Sequence, residues 1–576
     1  MASPDISLVI DAFLALFASA FAVFISYPAI KEAVGTANSD FFRVAVSAFA
    51  GSSSAGILYL YVRDKIRTMP LLFRRGHVII CGLNHHTSLM VKDMVKNGVY
   101  PVIIEADPKN PYLESCSVLG LITLVGPPSD PVMLKKAAVT RAGHILSLGD
   151  VDEDNAEVAL TCLALVQKDR YPPLTCTIQM INPMLYGIIR RHAFAARTGA
   201  PVRVEFFNQY ALGARVLLDT WPPFPPALPV PPEKEAPEHT GISPDSPPPA
   251  VIIVGAGMLG TSIATRLART WYQAHKQDGR RFTLTLIDTE ADRITSGLVH
   301  QYPQMEKTCE IISLPLDIRS AEFKTGTFLA DARLVHGYTA YICLDDDSLG
   351  LYAALTLHHN TTAEGTRFIV RMDHNASVAK LISGEQAALD SIRTIFPVNL
   401  FELTAAGSLI LAGEEEILAR AIHENYCSRE RAKGHTRETN RLLVSWDELG
   451  TLTHKKDGIE GKEYQDSNRR QATFIWTKLA LAGCSVGPIT DWDAPDTFRF
   501  TEGELSKLER LEHDRWMDEK IAGGWRYGPV RNDAKKLHPS IIPFDELSEP
   551  EKEKDRDTIR QIPELLSYID FQVNRE

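Results

Sequence analysis

The chain has 576 residues, a formal net charge of −11, 45% hydrophobic residues and 23% charged residues. That length accommodates three or four domains, each large enough to bury its own core. The acidic balance argues against nonspecific nucleic-acid binding, which depends on neutralising phosphates with clustered cations, so no nucleic-acid partner is expected.

In chain order, residues 6–30 are almost wholly apolar apart from Asp11, and a second apolar or small-residue stretch runs over 41–62, interrupted by Arg43. About twenty such residues cross a bilayer core as a helix, so residues 1–70 are expected to form a transmembrane hairpin of two helices. A cleaved signal peptide needs a basic start and a short apolar core, whereas this chain opens Met-Ala-Ser-Pro-Asp. A buried helical hairpin in a soluble protein is the alternative. Arg63, Lys65, Arg67, Arg74 and Arg75 follow the second stretch. The positive-inside rule then puts the bulk of the chain and its N-terminus in the cytosol, with the hairpin integral to the inner or plasma membrane. The run Ala50-Gly51-Ser52-Ser53-Ser54-Ala55-Gly56 permits close helix contact in the lipid bilayer and points to a homo-oligomer, at least a dimer.

From residue 77 the pattern changes to apolar runs of strand length alternating with helix-length segments. Residues 77–81 end in Gly82, 102–105 end in Glu105, Gly126-x-x-x-Asp130 precedes an Ala-rich segment, and Ile145–Leu148 leads to Asp152-x-Asp154-Asn155. The order recurs downstream: Val251–Val254 enters Gly255-Ala256-Gly257-Met258-Leu259-Gly260, Thr283–Ile287 ends in Asp288, and Ala340–Leu344 enters Asp345-Asp346-Asp347. The expectation is an internal duplication, with two doubly wound parallel sheets over 77–220 and 250–412. Between them, 221–249 is a proline-rich spacer that disfavours helix and sheet.

In the second copy a strand feeds G-x-G-x-x-G. Such a turn lets the backbone approach a pyrophosphate and presents that anion to the positive end of the next helix. Gly255, Gly257, Met258, Leu259 and Gly260 are therefore candidate cofactor residues, with Asp288 for a ribose hydroxyl and Asp345 at the next strand end. Asp288 lies further from the glycines than usual, the excess falling in Tyr272–Arg281. NAD(H) or another adenine nucleotide is the expected cofactor. The first copy is degenerate: Asn84 and Thr87 stand where two glycines belong, and His85-His86 fill the space of a phosphate. A structural or dimer-forming lobe is the expectation there. The eight cysteines, at 81, 116, 162, 176, 309, 343, 427 and 484, show no metal-ligand spacing. Buried thiols in a reducing compartment, and no metal site, are expected.

Residues 413–576 crowd Trp, Arg, Tyr and His: Glu512-His513-Asp514-Arg515-Trp516, then Gly524-Trp525-Arg526-Tyr527-Gly528, His538-Pro539, and Leu547 to Arg556. Rings stack on flat ligands and guanidinium groups grip anions, so Arg515, Trp516, Trp525, Tyr527, His538 and Arg556 are candidate contacts for a nucleotide-like small ligand. A tryptophan in a small helical domain equally serves as core.

At these residues the sequence resembles the ryanodine-receptor repeat (RyR) domain, most closely across 505–565 and with upstream elements from about 415. The resemblance implies a mainly α-helical fold that binds a nucleotide-like or other small anionic ligand. Both earlier copies resemble the TrkA-N fold of RCK domains, regulatory modules of bacterial potassium channels and transporters, through "HVIICGLN" and "VIIEADP" in the first and "VIIVGAGMLGTSIATRLA" and "LTLIDTEAD" in the second. That resemblance implies dinucleotide or adenine-nucleotide binding, dimers and gating rings, and regulation rather than hydride transfer. No G-x-S-x-G, HExxH or Walker A motif occurs, so no catalytic residues are assigned and no enzyme is expected. The reading is a membrane-anchored, ligand-responsive sensor or effector. The alternatives are a regulatory or pore subunit of a potassium or other ion channel or transport system, and an NAD-dependent enzyme. A potassium-selective filter has no place between the two spans, which only Lys31–Asp40 separate.

Overall fold

The computed structural model describes residues 71, 73–167, 170, 173–181, 201–223, 249–334, 336–373, 394–400, 404, 407–454 and 459–575. The expected spans 6–30 and 41–62 lie outside the described residues, as does most of the proline-rich spacer. Among the described residues no helix is long and apolar enough to cross a membrane. The chain divides into two compact units, one running to Ile178 with Pro201–Val204 added, the other comprising Gln179–Ala200 and everything from Glu205.

In the first lobe, strands β1 (Val78–Cys81), β2 (Val102–Glu105), β3 (Ile122–Val125), β4 (His144–Ser147), β5 (Leu174–Gln179) and β6 (Val202–Phe207) form a sheet in the order β3-β2-β1-β4-β5-β6. β1 pairs in parallel with β2 and β4, β2 with β3, and β4 with β5. β1 and β2 are buried along their whole length, as strands covered on both faces of a parallel sheet must be. Helices α1 (His85–Lys96) and α2 (Asp152–Leu165) follow β1 and β4. Helix α3 (Gln209–Thr220) follows β6 in the chain but belongs to the second unit. There Gly213 faces Leu400, and a Cβ on that glycine would come 2.7 Å from the leucine Cδ1.

The second lobe repeats the design with β7 (Ala250–Val254), β8 (Phe282–Asp288), β9 (Cys309–Pro315), β10 (Tyr338–Ile342), β11 (Arg367–Arg371) and β12 (Ile395–Val398) in the order β12-β11-β10-β7-β8-β9. All five pairings are parallel. Read from the other edge, this is the strand order of the first sheet, so the duplication is structural. β7 and β10 are adjacent at the point where the winding direction reverses. Their carboxyl ends therefore open into the crevice in which doubly wound sheets bind ligands. Helices α4 (Met258–His275) and α5 (Asp347–Asn360) start there. α4 with the loop after it occupies the stretch that separates the glycines from Asp288.

The C-terminal region is mainly helical: α6 (Gly407–Ala432), α7 (Gly461–Leu481), α8 (Glu502–Ala522) and α9 (Glu549–Arg560), with a ribbon of β13 (Cys484–Pro488) antiparallel to β14 (Phe571–Arg575). Leu418, Ile475, Leu508, Ile559 and Leu566 share its core. Trp492, just beyond β13, is fully buried in the core of the second lobe. Its ring lies 5.7 Å from that of Tyr272 and 5.9 Å from that of Tyr302. Gln273 Nε2 donates to the Trp492 carbonyl at 2.6 Å, and Tyr272 Oη donates to Asp493 at 2.6 Å. Burying a residue the size of tryptophan contributes roughly 2–3 kcal/mol, and this wedge seats the helical region on α4. All eight cysteines are buried and none forms a disulfide.

Candidate functional site

The turn after β7 is built around three different demands on glycine. Gly255 has φ +85, and a Cβ on it would meet Leu344 Cδ2 at 2.8 Å. Gly260 presses on the same turn, since its missing Cβ would lie 2.3 Å from the Gly255 carbonyl oxygen. Gly257 is unlike both, because nothing lies within 4 Å of where its Cβ would be. It is the N-cap of α4 and supplies no side chain to cap the helix. The first N–H groups of α4 have no partners within the helix, and the helix dipole adds about half a positive charge at that end. Met258 is 57% exposed beside this space, while Leu259 is buried in the lobe core.

Asp288, at the end of β8, holds the turn in shape. Its Oδ2 accepts from the Ala256 N–H at 2.9 Å and its Oδ1 from the Glu290 N–H at 3.0 Å. The Thr289 hydroxyl also approaches Oδ1 at 3.5 Å, so Oδ2 is the oxygen with a lone pair left for a hydroxyl donor. Asp345 lies beyond β10 with its side chain 91% exposed, and it is ion-paired with Arg371. Arg371 also donates to the fully buried Asp373 at 2.5 Å. Asp346 caps α5, accepting from the N–H groups of Ser348 and Leu349.

The equivalent turn of the first lobe is closed by its own side chains. Gly82 has φ +88, matching Gly255. Glu105 Oε2 accepts from the Leu83 N–H at 2.6 Å, the counterpart of the Asp288 bond. Asn84 then caps α1, accepting from the Thr87 N–H at 2.9 Å, while Thr87 Oγ1 accepts from the Asn84 N–H at 2.7 Å. The Asn84 amide also donates to the Leu148 carbonyl at 3.2 Å and to Asp150 at 3.0 Å. His86 is buried, and His85 Nδ1 lies 3.4 Å from the Tyr112 hydroxyl.

In the C-terminal region the six candidate residues divide. Arg515 donates to Glu512 at 2.7 and 3.1 Å and to Glu519 at 2.7 Å. Glu512 also pairs at 2.6 Å with Lys478, which is fully buried. Arg556 is met by Glu509 at 2.5 Å and Glu553 at 3.3 Å. Arg556 thus ties α9 to α8 and Lys478 ties α7 to α8, while Arg515 bonds within α8, and both guanidinium groups are already satisfied by carboxylates. Trp516 packs between His513 and His538, with ring centroids 5.8 and 5.0 Å away. Trp525 is buried, and its ring carries the Lys520 ammonium 5.0 Å from its centre. His538 accepts through Nδ1 from the Ser540 N–H at 3.1 Å, and burial, then Arg531, lowers its pKa. Tyr527 is 58% exposed and faces solvent.

Residues not singled out in the sequence gather beside them. Lys520, near the end of α8, lies between the rings of Trp525 and Tyr464, the second centroid 5.8 Å away. Among the described residues its ammonium makes no direct hydrogen bond or ion pair, and burial lowers its pKa against the opposing pull of Glu519. Arg531 pairs with Asp533 at 2.7 Å. The sequence signal was faint: a lysine four residues after Trp516 and a tyrosine fifty-one residues before Arg515 do not announce a shared surface.

The sequence model of the TrkA-N domain matches residues 78–177, and that of the RyR domain matches residues 504–575. Among solved structures, the chain is similar to GsuK bound to ADP at 16% identity, over 70% of this chain and 98% of that one, with a TM-score of 0.38. The GsuK channel bound to NAD is similar at 16% identity over 70% and 83% of the two chains, with a TM-score of 0.39. The human SLO3 gating ring is similar at 10% identity over 58% and 82%, with a TM-score of 0.39.

Proposed function

We propose that this chain is a membrane-anchored regulatory protein whose second lobe holds NAD(H) or another adenine nucleotide and whose C-terminal module reads a nucleotide-like small anion. The observation that carries the reading is the uncapped N-terminus of α4, with open space at Gly257 and the Asp288 carboxylate beside it. A pyrophosphate on that turn receives the orphan N–H groups and the helix dipole, and Asp288 receives a ribose hydroxyl. In the C-terminal module the ligand face is Lys520, Arg531, Tyr464 and the exposed Tyr527, with Trp525 and His538 as its floor. Residues 6–30 and 41–62 supply the anchor, and the small-residue run within the second span supplies self-association.

Calorimetry on the detergent-solubilised full chain tests the nucleotide site. NAD or ADP binds the parent, Gly257→Val abolishes binding, and Asn84→Val leaves it unchanged. Equal affinity before and after Gly257→Val sinks the assignment. Extraction by carbonate without detergent removes the membrane anchor from the reading. The match of 78–177 to the TrkA-N domain supports a second reading, a regulatory or pore subunit of a potassium or other ion channel or transport system. Nucleotide-dependent ion flux through liposomes carrying the chain separates that reading from a sensor without a pore.

A further inference from the structure

Three arginines converge on one carboxylate where α3 and α4 meet the start of β14. Arg269 and Asp570 form a direct hydrogen-bonded pair. Arg266 Nη1 lies 3.5 Å and Arg215 Nη2 3.8 Å from the same carboxylate, too far for good hydrogen bonds. Arg215 is also bonded to the Tyr568 carbonyl. Two buried guanidinium nitrogens, Arg215 Nε and Arg266 Nη1, have no hydrogen-bond partner among the described residues. A buried guanidinium N–H without a partner is costly, and three cations against one anion repel one another. Asp219, the other carboxylate acting on Arg266, leaves the cluster net positive. Burial, offset only in part by Asp570, pushes Arg266 down to about 10. Asp570 holds φ +65, a conformation that L residues rarely adopt, and its side chain is 35% exposed, so the cluster is open to solvent on that side.

We propose that Arg215, Arg266 and Arg269 form a binding site for a phosphate-type dianion, free or carried on a metabolite, which completes the joint between the second lobe and the C-terminal module. The negative charge of a phosphate offsets this excess, and its tetrahedral oxygens accept from guanidinium forks on two helices at once. The site is separate from the glycine turn. Arg266 and Arg269 lie 8 and 11 residues along α4 from Met258, roughly 12 and 17 Å at the rise of an α-helix. An anion here links α3, α4 and β14, so its presence sets how firmly the module grips the helix that begins at the nucleotide turn.

The test is thermal unfolding of the detergent-solubilised full chain in sodium phosphate and in pyrophosphate, against sodium chloride of equal ionic strength. Phosphate at saturation raises the parent melting temperature by about 2–4 °C. The shift persists in Gly257→Val, which closes the glycine turn, and disappears in Arg266→Met. Arg266→Met melts no lower than the parent in chloride, because the change removes a repelling, incompletely bonded cation. A purely structural arginine predicts the opposite, a lower melting temperature in chloride. The proposal is overturned if neither anion shifts the parent beyond chloride, or if Arg266→Met keeps the shift. Loss of the shift in Gly257→Val assigns the anion to the turn and also overturns it. Failure of NAD and ADP to bind the parent, with the phosphate shift intact, sinks the nucleotide reading and leaves this one standing.

Discussion

The two lobes share strand order, the positive-φ glycine after the first strand, and a carboxylate that accepts from the turn; they part at two residues. Where the first lobe has Asn84 and Thr87, joined in a reciprocal cap, the second has Gly257 and Gly260. The Asn84 side chain takes an orphan N–H of α1 and stitches the turn to the loop after β4 through Leu148 and Asp150. Gly257 supplies no side chain to the corresponding donors of α4. The first lobe thus fills this turn with a structural cap worth about 1 kcal/mol, while the second leaves the same position open. The duplicated scaffold is shared, and the chemistry of the turn differs.

The largest effect that can break this comparison is on ligand affinity. A Cβ at Gly257 meets no protein atom within 4 Å, so in Gly257→Val the lobe should melt as before while nucleotide affinity drops at least about a hundredfold, or about 2.8 kcal/mol. If melting falls instead, the open space is structural and the contrast with Asn84 fails. Gly260→Ala comes next, because its Cβ would lie 2.3 Å from the Gly255 carbonyl oxygen. Overpacking there should cost about 1–3 kcal/mol in a denaturant titration, although the first lobe tolerates a threonine at the matching position. Asn84→Ala should destabilise the first lobe by about 1 kcal/mol without changing nucleotide binding.

The smallest effect concerns pH and the second lobe's joint with the module. Arg269, Arg266 and Arg215 outweigh the burial of Asp570 and hold its carboxyl at about 2, below the ordinary 3.8. A depressed carboxyl contributes stability that is present above the unfolded value and is lost as pH falls through the folded one, so the window lies between about 4 and 2. Because the side chain is a third exposed, the contribution is about 0.5–1 kcal/mol. Asp570→Asn should unfold earlier than the parent near pH 6 and converge with it toward about pH 2. A constant gap across that range removes the ion cluster from the joint.

Much of the second lobe was legible because its determinants are local. A strand, G-x-G-x-x-G and a helix start within eleven residues, and the alternation of apolar and polar segments repeats in the other copy. The roles of Asn84 and Thr87 were half legible: their place in the pattern showed degeneracy, and their bonds showed what fills the turn. Arg515 and Arg556 read as anion grips because sequence displays a guanidinium without its partner. Glu512 and Glu519 are one helical turn from Arg515, but Glu509 reaches Arg556 only when α8 lies against α9. Lys520, by contrast, is one lysine among many in the sequence, and folding set it between two rings with no carboxylate in direct contact among the described residues.

By itself the sequence determined the local units: the apolar period that makes strands and helices, the glycines that permit the turns, and the acid that closes each second strand. Tertiary structure decided what each charge and ring would meet. It placed α3 against α4, sank Trp492 between Tyr272 and Tyr302, and brought Arg215, Arg266 and Arg269 onto Asp570. The physical reason is range. Backbone propensity acts over a few residues, so it is written in the order of the chain. Charge pairing and burial depend on groups far apart in sequence whose meeting is settled only when the elements pack.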